Sequence, residues 1–192
     1  MRSIAEIFRS YGVLDGEGRH VNGTDKETNH RYGDAYEGIF SSYWLSRNNV
    51  RLMMEVGVAD GSSLLAWTEV FPNARCVGMD IHDAHKISSG KHNHTEFHMG
   101  DQRNQVDCER AAGGRQFDVI VEDATHRLAD SLLTMFFLWP YVKPGGLYII
   151  EEFDNVGALR KNIAAMWPNA VIVDTQGPFG GVEPLVVFRK QV

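Results

Sequence analysis

The chain has 192 residues and a formal net charge of -6, and 43% of its residues are apolar and 23% charged, as in one soluble globular domain with a full core. The acidic balance argues against nucleic acid as a partner, because phosphate binding needs clustered Lys and Arg. No apolar run suffices for a membrane span, the N-terminus is no secretory signal, and Cys76 and Cys108 read as free thiols, so a cytoplasmic protein without membrane insertion is expected.

The first 35 residues differ from the rest, because glycines interrupt any helical pattern beyond the first ten. Glycine is unfavourable inside a helix, so this segment predicts a short helix, an irregular arm and then a helix over residues 36–46. We therefore expect residues 1–46 to form an N-terminal helical arm or lid. Residues 47–192 are expected to form one compact domain.

Apolar runs and helical patterns alternate from residue 50 onward. The runs predict seven strands, at residues 51–58, 74–81, 95–99, 117–121, 146–150, 171–174 and 184–189. Helices are predicted at residues 62–70, 107–112, 128–139 and 156–166. Such alternation indicates an α/β fold with a mostly parallel sheet and helices on both faces. In these folds the ligand binds beyond the carboxyl ends of the strands.

A glycine turn follows the first predicted strand. The pattern Glu55-x-Gly57-x-x-x-Gly61 leads into Ser62 and Ser63, which begin the next helix. Glycine lets the backbone approach a ligand, and the helix start offers free N–H groups. The spacing departs from the G-x-G-x-x-G of dinucleotide-binding loops, which makes a nicotinamide oxidoreductase the least favoured alternative. It resembles motif I of class I methyltransferases instead, and this resemblance implies that all five residues bind S-adenosylmethionine.

Two further strand ends carry candidate cofactor residues. Asp80, followed by Ile81, lies about 20 residues past the glycine turn, where an acidic side chain accepts hydrogen bonds from ribose hydroxyls. A capping or loop aspartate is the alternative. After the third strand, Asp101 and Gln102 occupy the position that lies beside adenine in the methyltransferase fold. A plain turn explains either residue equally well.

Polar residues also follow the fourth and fifth strands, which are expected to be neighbours. Glu122 and Asp123 end the fourth strand, and Glu151 and Glu152 follow the fifth. Carboxylates that converge in this way need a cation or protons, and oxygen ligands suit Mg²⁺ or Mn²⁺. Adjacent strand residues point to opposite faces, so Glu151 and Glu152 share one ion only if the chain turns there. Asp154 is the substitute ligand.

Several motifs taken together resemble the metal-dependent sugar O-methyltransferases, which act on macrolide and other natural-product sugars. They are G-T-D-K from Gly23, E-V-G-V-A-D-G-S-S-L, F-P-N-A, G-M-D-I, G-D-Q, E-D-A-T-H and K-P-G-G-L-Y-I-I-E-E. The resemblance implies a Rossmann-like class I methyltransferase fold, S-adenosylmethionine and Mg²⁺ as cofactors, and a sugar or oligosaccharide acceptor. The family has Glu-Asp where this chain has Glu151-Glu152. The short chain is similar to the compact mycobacterial mannoside O-methyltransferases.

The same resemblance implies roles at the strand ends and in the arm. Asp123, Glu151 and Glu152 would bind the metal, Asp123 and Glu122 would also contact the cofactor, and His126 would be the general base, aided by the Lewis acid. A loop histidine bonded to backbone is the alternative for His126. Arm residues are expected to fold over cofactor and substrate, with Lys26 paired to the cofactor carboxylate and Tyr36 closing its pocket; these residues are Thr24, Asp25, Lys26, His30, Tyr32 and Tyr36. A solvated arm is equally compatible with the sequence.

Three other features leave alternatives open. The histidines at 82, 85, 92, 94 and 98 match no closed zinc pattern, and a mobile substrate-facing loop is predicted there. Aromatic residues near Tyr43, Trp44 and Trp139 are compatible with a homodimer or with core packing. A metal-dependent catechol-type O-methyltransferase and a non-catalytic cofactor-binding module are the alternative functions.

Overall fold

A computed structural model of the chain describes residues 1–90, 92–153, 156–177 and 181–192. The helices are α1 (Ile4–Tyr11), α2 (Tyr32–Ser42), α3 (Ser62–Val70), α4 (His85–Ser88), α5 (Gln105–Ala112), α6 (Leu128–Leu138) and α7 (Val156–Met166), and a 3-10 turn spans Trp139–Tyr141. The strands are β1 (Gly12–Leu14), β2 (His20–Gly23), β3 (Leu52–Val56), β4 (Arg75–Asp80), β5 (Thr95–Met99), β6 (Phe117–Glu122), β7 (Val142–Ile150), β8 (Val171–Gln176) and β9 (Val182–Arg189).

Seven of the strands form one sheet in the order β5-β4-β3-β6-β7-β9-β8. The five strands from β5 to β7 run parallel, and β9 is antiparallel to both of its neighbours. This confirms the predicted seven-stranded, mostly parallel α/β fold. The chain leaves β3 on one side through β4 and returns to its other side with β6, so the carboxyl ends of β3, β4 and β6 border the switch point where such folds bind ligands.

The sheet is covered on both faces, as the unbroken apolar runs predict. Successive strand residues point to opposite sides, so Met53 and Val119 pack in one buried cluster with α1, α2 and α3, while Met54 and Ile120 pack in a second with α5 and α6. Both clusters consist of side chains almost sealed from solvent. The polar residues at the strand ends are therefore held by a rigid, doubly covered sheet.

The N-terminal arm is more ordered than its glycines suggest. The α1 helix begins with a capping box between Ser3 and Glu6, and β1 and β2 form an antiparallel hairpin where irregular chain is predicted. Gly18, in the turn between the two strands, and Gly23, at the end of β2, both have positive φ, a backbone conformation that glycine adopts without steric cost. The α2 helix begins at Tyr32 and ends at Ser42, upstream of the predicted bounds.

Aromatic contacts fix the arm to the domain. Trp67 of α3 lies edge-on to Phe8 and to Tyr36, with ring centroids 4.9 Å and 5.0 Å apart. Such edge-to-face pairs add to the free energy gained by burial. The arm is thus anchored beside the carboxyl ends of the strands.

The segment after β4 contains a short helix, α4, where only a loop is predicted. The histidines at 82, 85, 92 and 94 in this segment, and His98 in β5, are absent from the metal-capable groups found in the described part of the chain. Among the residues described, no helix has the length and apolarity to cross a membrane.

Candidate active site

A cavity of about 450 Å³ opens at the carboxyl ends of the parallel strands. Its wall consists of the loops after β3, β4, β5 and β6, together with Glu152 after β7 and residues 23–25 of the arm. Nine residues predicted for the site line it: Gly57, Ser63, Asp80, Ile81, Asp101, Gln102, Asp123, His126 and Glu152. The sheet therefore brings residues from five separate strand ends to one place.

Gly57 makes the close approach of two strand ends feasible. Its φ is +86°, and a Cβ atom built on it would lie 2.1 Å from the carbonyl oxygen of Asp123. The Asp123 N–H donates to the carbonyl of Val56 at 2.8 Å, which locks the two strand ends together. Any side chain at this position would displace the backbone of Asp123 and strain its own.

Asp80 organises the glycine turn. Its Oδ2 accepts hydrogen bonds from the N–H groups of Val58 and Ala59, both at 2.9 Å, and its Oδ1 accepts one from the N–H of His82 at 2.8 Å. A carboxylate has about four acceptor sites, so Asp80 retains the capacity to accept a ligand hydroxyl at the cavity wall. The turn and its acidic partner form one preorganised unit.

Gln102 and Asp101 differ in whether their side-chain oxygens already have partners. The Oε1 atom of Gln102 is buried without a hydrogen-bond partner among the described residues, while its Nε2 donates to Thr125 Oγ1 at 3.3 Å. The Asp101 carboxylate is paired with Arg103 at 2.7 Å, and hydrogen bonds from Arg103 lower its pKa. An unsatisfied buried acceptor is costly, so Gln102 is the better acceptor for a ligand N–H donor.

Six residues expected to contact the cofactor, including Lys26 and Tyr36, do not line the cavity. The other four lie behind its wall. Glu55 is buried and accepts hydrogen bonds from Ser63 Oγ at 2.8 Å and Trp67 Nε1 at 3.0 Å. Glu122 is also buried, and burial raises its pKa to about 7. Gly61 and Ser62 face α4 instead: a Cβ on Gly61 would meet Ile87 at 2.6 Å, and Ser62 Oγ accepts a hydrogen bond from Lys86. These residues shape the wall from behind.

Lys26 lies beneath the cavity and contacts three carboxylates. Its Nζ is 2.6 Å from Glu151 Oε2, 2.7 Å from Asp123 Oδ2 and 3.2 Å from Glu55 Oε1, and the side chain is 1% exposed. Burial opposes its charge, but the carboxylates outweigh burial and hold its pKa well above the usual range. The pairing with a cofactor carboxylate expected from the sequence is replaced here by an internal ion-pair network.

Tyr36 belongs to the same network. Its hydroxyl donates to Glu151 Oε1, and the residue is fully buried against Phe8 and Trp67 rather than at the cavity wall. Glu151 therefore has both oxygens engaged, one by Tyr36 and one by Lys26.

The two adjacent glutamates diverge. The strand ends at Ile150, and Glu152 has a left-handed backbone with φ of +52°. The chain does turn here, but Glu151 points inward to Lys26 while Glu152 lines the cavity. The expected ligand set of Asp123, Glu151 and Glu152 is thus not assembled around one point. The substitute ligand, Asp154, lies outside the described residues.

His126 lies between the two carboxylates that face the cavity. Its Nε2 is 3.3 Å from Asp123 Oδ1 and its Nδ1 is 3.1 Å from Glu152 Oε2. The hydrogen bond with Asp123 and the nearby charge of Glu152 raise its pKa to about 9, against the opposing effect of burial. Asp123, His126 and Glu152 form the strand-end cluster, whose ligand atoms lie close enough to hold a metal ion.

A second group, the arm cluster, consists of Asp25, His30 and Glu152. His30 Nε2 is 2.9 Å from Glu152 Oε1 and 3.2 Å from Asp25 Oδ2, and its Nδ1 bonds to Glu183. Burial opposes the imidazolium, yet hydrogen bonds with Asp25 and Glu152 raise its pKa to about 11. The sequence predicts that polar residues of the arm lie over the site. It does not predict the contact of Glu183 with His30, because the pairing of β9 with β7 brings Glu183 to the arm.

Comparison with known proteins finds no matching family model, but it finds several curated O-methyltransferases that are similar to the chain. The chain is 30% identical over 131 residues to mycinamicin VI 2''-O-methyltransferase of Micromonospora griseorubida, covering 64% of this chain and 31% of that protein. It is 32% identical over 133 residues to demethylmacrocin O-methyltransferase of Streptomyces fradiae, covering 64% and 32%. The chain thus spans about a third of the length of these relatives.

Solved structures share its fold. The MycE methyltransferase of the mycinamycin biosynthetic pathway, in complex with Mg and SAH, aligns with a TM-score of 0.69 at 22% identity, covering 99% of this chain and 55% of that chain. Human methyltransferase-like protein 13, in complex with SAH, aligns with a TM-score of 0.57 at 16% identity, covering 78% and 76%. The fold is that of the class I methyltransferases.

Proposed function

We propose that the chain transfers a methyl group from S-adenosylmethionine to a hydroxyl of a sugar or glycoside, because it is similar to curated O-methyltransferases and shares their fold. The observation that supports this most strongly is the shared cavity. The glycine turn with Asp80 and the strand-end cluster face the same space, so a methyl donor and a hydroxyl acceptor would meet within it.

The cavity wall has the groups that a nucleoside-containing cofactor needs. Asp80 would accept hydrogen bonds from ribose hydroxyls, as acidic residues after the second strand do in related folds. The unpartnered Oε1 of Gln102 would accept one from the adenine amine. Gly57 allows the backbone of the turn to lie against the ligand. Beneath the glycine turn, Ser63 donates a hydrogen bond to Glu55, and Lys26 pairs with both Glu55 and Asp123.

Two carboxylates suit a hard divalent ion. Asp123 and Glu152 line the cavity, whereas both oxygens of Glu151 are engaged elsewhere. Mg²⁺ is usually held by one or two carboxylates together with water and substrate oxygens, so Asp123 and Glu152 would hold Mg²⁺ or Mn²⁺. When bound, such an ion supplies Lewis acidity that lowers the pKa of an alcohol. Lys26 keeps Asp123 ionised, since its charge lowers the pKa of that carboxyl to about 2 against the effect of burial.

His126 is the proposed general base. It lies at the cavity wall beside both proposed metal ligands, within reach of a hydroxyl bound there. The neutral ring is needed to accept a proton, and its bonds to Asp123 and Glu152 favour the protonated ring. A substrate or ion that engages these two carboxylates would weaken that preference. The homodimer, the cytoplasmic location and the absence of a nucleic-acid partner stay predictions.

The first test is calorimetric titration with S-adenosylhomocysteine. Wild type is expected to bind it, and Asp80→Asn is expected to bind it roughly 10- to 100-fold more weakly, because hydrogen bonds to a charged group contribute about 1.5–3 kcal/mol. Asp83→Asn, an exposed residue nearby, serves as the control and should bind like wild type. Absence of binding by the folded wild type would overturn the proposed cofactor.

A panel of acceptors separates the remaining functions. Labelled methyl groups should appear on monosaccharides or glycosides and not on catechols. Transfer to catechols would instead favour the alternative O-methyltransferase, and cofactor binding without transfer to any acceptor would favour a non-catalytic module.

A further inference from the structure

The carboxylate of Glu152 is shared between two imidazoles. Its Oε2 lies 3.1 Å from His126 Nδ1, and its Oε1 lies 2.9 Å from His30 Nε2. One glutamate therefore joins the strand-end cluster to the arm cluster. A carboxylate that offers one oxygen to each of two sites is suited to bridge them.

The arm cluster has the dimensions of a metal site. The distances from His30 Nε2 to Glu152 Oε1 and to Asp25 Oδ2 are 2.9 Å and 3.2 Å. Ligand atoms at about 2.1 Å from a tetrahedral ion lie roughly 3.4 Å apart, as follows from zinc–nitrogen and zinc–oxygen bond lengths. Small side-chain movements would therefore place all three atoms on one ion.

Glu183 supplies the outer partner that metal-binding histidines usually have. It contacts His30 Nδ1, the ring nitrogen opposite the one that faces Asp25 and Glu152. A carboxylate that accepts the Nδ1–H hydrogen bond orients the ring and leaves Nε2 as the ligand atom. This carboxylate–histidine arrangement has no equivalent role in the proposed methyl transfer.

The local charge balance also favours cations. The carboxyl groups in contact with the basic side chains here belong to Asp25, Glu55, Asp123, Glu151, Glu152 and Glu183. The basic side chains are Lys26, His30 and His126. These six carboxyl groups outnumber the three basic side chains. Carboxylates gathered in this way bind protons or metal ions.

From these contacts we infer that Asp25, His30 and Glu152 form a second divalent metal site that takes Mn²⁺ or Zn²⁺. Asp25 and Glu152 line the cavity, so an ion reaches them from solvent. A nitrogen ligand beside two carboxylates suits these ions better than Mg²⁺. The site shares Glu152 with the ion proposed for methyl transfer, whereas Asp25 and His30 belong to the arm cluster alone.

The test counts Mn²⁺ bound to the whole chain without cofactor. Metal-free protein is equilibrated with Mn²⁺, and bound ions are measured by elemental analysis and by electron paramagnetic resonance titration. The variants are His30→Gln, which removes the ligand, and Asp123→Asn, which addresses only the strand-end cluster. His85→Gln is the control, since this exposed histidine belongs to neither cluster.

We expect His30→Gln to bind one Mn²⁺ fewer than wild type, and Asp123→Asn to keep the ion that depends on His30. Equal numbers and affinities in wild type and folded His30→Gln would overturn the site. If His30→Gln does not fold, Mn²⁺ binding by Glu183→Gln is the test of the site. Loss of the outer carboxylate is expected to weaken one ion by roughly 10- to 100-fold, and unchanged affinity would overturn the inference.

Discussion

The Nζ of Lys26 lies 2.6 Å from Oε2 of Glu151, and both side chains are sealed from solvent. The two residues are 125 positions apart in the sequence. An arm residue therefore supplies the cation that neutralises the end of a central strand. The contact ties the fold of the arm to the geometry of the proposed active site.

Lys26→Met is expected to destabilise the chain strongly. Removing one partner of a buried ion pair leaves uncompensated charge and costs about 3–5 kcal/mol, and here three carboxylates lose the same cation. Urea unfolding measures the loss. Lys161→Met, which changes an exposed lysine, should unfold like wild type. Adding Glu151→Gln to Lys26→Met should recover part of the loss, and a Lys26→Met variant as stable as wild type would contradict the network.

Gly57→Ala is expected to disrupt the site. The new methyl group would lie 2.1 Å from the Asp123 carbonyl oxygen at a backbone φ of +86°, and the left-handed backbone alone costs about 1–2 kcal/mol. Thermal unfolding and S-adenosylhomocysteine binding should both weaken. Gly38→Ala is the matched control, because Gly38 lies in α2 with open space around its Cβ position. That helical change should stabilise by up to about 1 kcal/mol. Normal unfolding and binding by Gly57→Ala would show that the turn tolerates a side chain.

His126→Gln is expected to slow methyl transfer without changing cofactor affinity. A positioned general base contributes about 10²- to 10⁴-fold to rate, and His126 lies at the wall without contacting the glycine turn in the described structure. Initial rates at saturating substrate measure the effect, with Glu109→Gln, a change at an exposed residue of α5 outside the cavity wall, as the control. A rate near that of wild type would remove the base assignment.

Lowering the pH should reduce the stability of the fold, because it protonates the carboxylate of Glu96. Hydrogen bonds from Arg115 lower the pKa of its carboxyl from 4.5 to about 2. A carboxyl whose pKa is lower in the folded state stabilises fully above the unfolded pKa, and this contribution is lost as pH falls from about 4.5 to about 2. Urea midpoints measured across this range should fall more steeply in wild type than in Glu96→Gln. Equal slopes would show that the Arg115 pair does not contribute, and Glu109→Gln, on the exposed face of α5, is the control.

The fold and part of the site follow from local sequence. Unbroken apolar runs predict β3 and β6, and the glycine after β3 marks the turn at Gly57 because its backbone conformation excludes other residues. Asp80 could be placed because it lies at the end of the second predicted strand. His126 could be placed because it lies three residues after a carboxylate, Asp123, at the end of the fourth. Each of these predictions depends on residues that are neighbours in the sequence. The sheet then fixes where Gly57, Asp80 and His126 lie in space.

Other features depend on contacts between distant segments. Glu151 and Glu152 have the same side chain, and the partners that hold Glu151 inward, Lys26 and Tyr36, come from the distant arm. The sequence does not predict the β1–β2 hairpin, because glycine disfavours a helix without specifying the turn that replaces it. Glu183 joins the arm cluster only through the pairing of β9 with β7.

The most direct test of the account is transfer of labelled methyl groups from S-adenosylmethionine to a panel of sugars and glycosides, with Mg²⁺ and with EDTA. The account predicts labelled sugar product in the presence of Mg²⁺ and loss of that product with EDTA. Undiminished transfer in EDTA would contradict the metal-assisted mechanism, and no transfer to any sugar by protein that binds S-adenosylhomocysteine would contradict the proposed reaction.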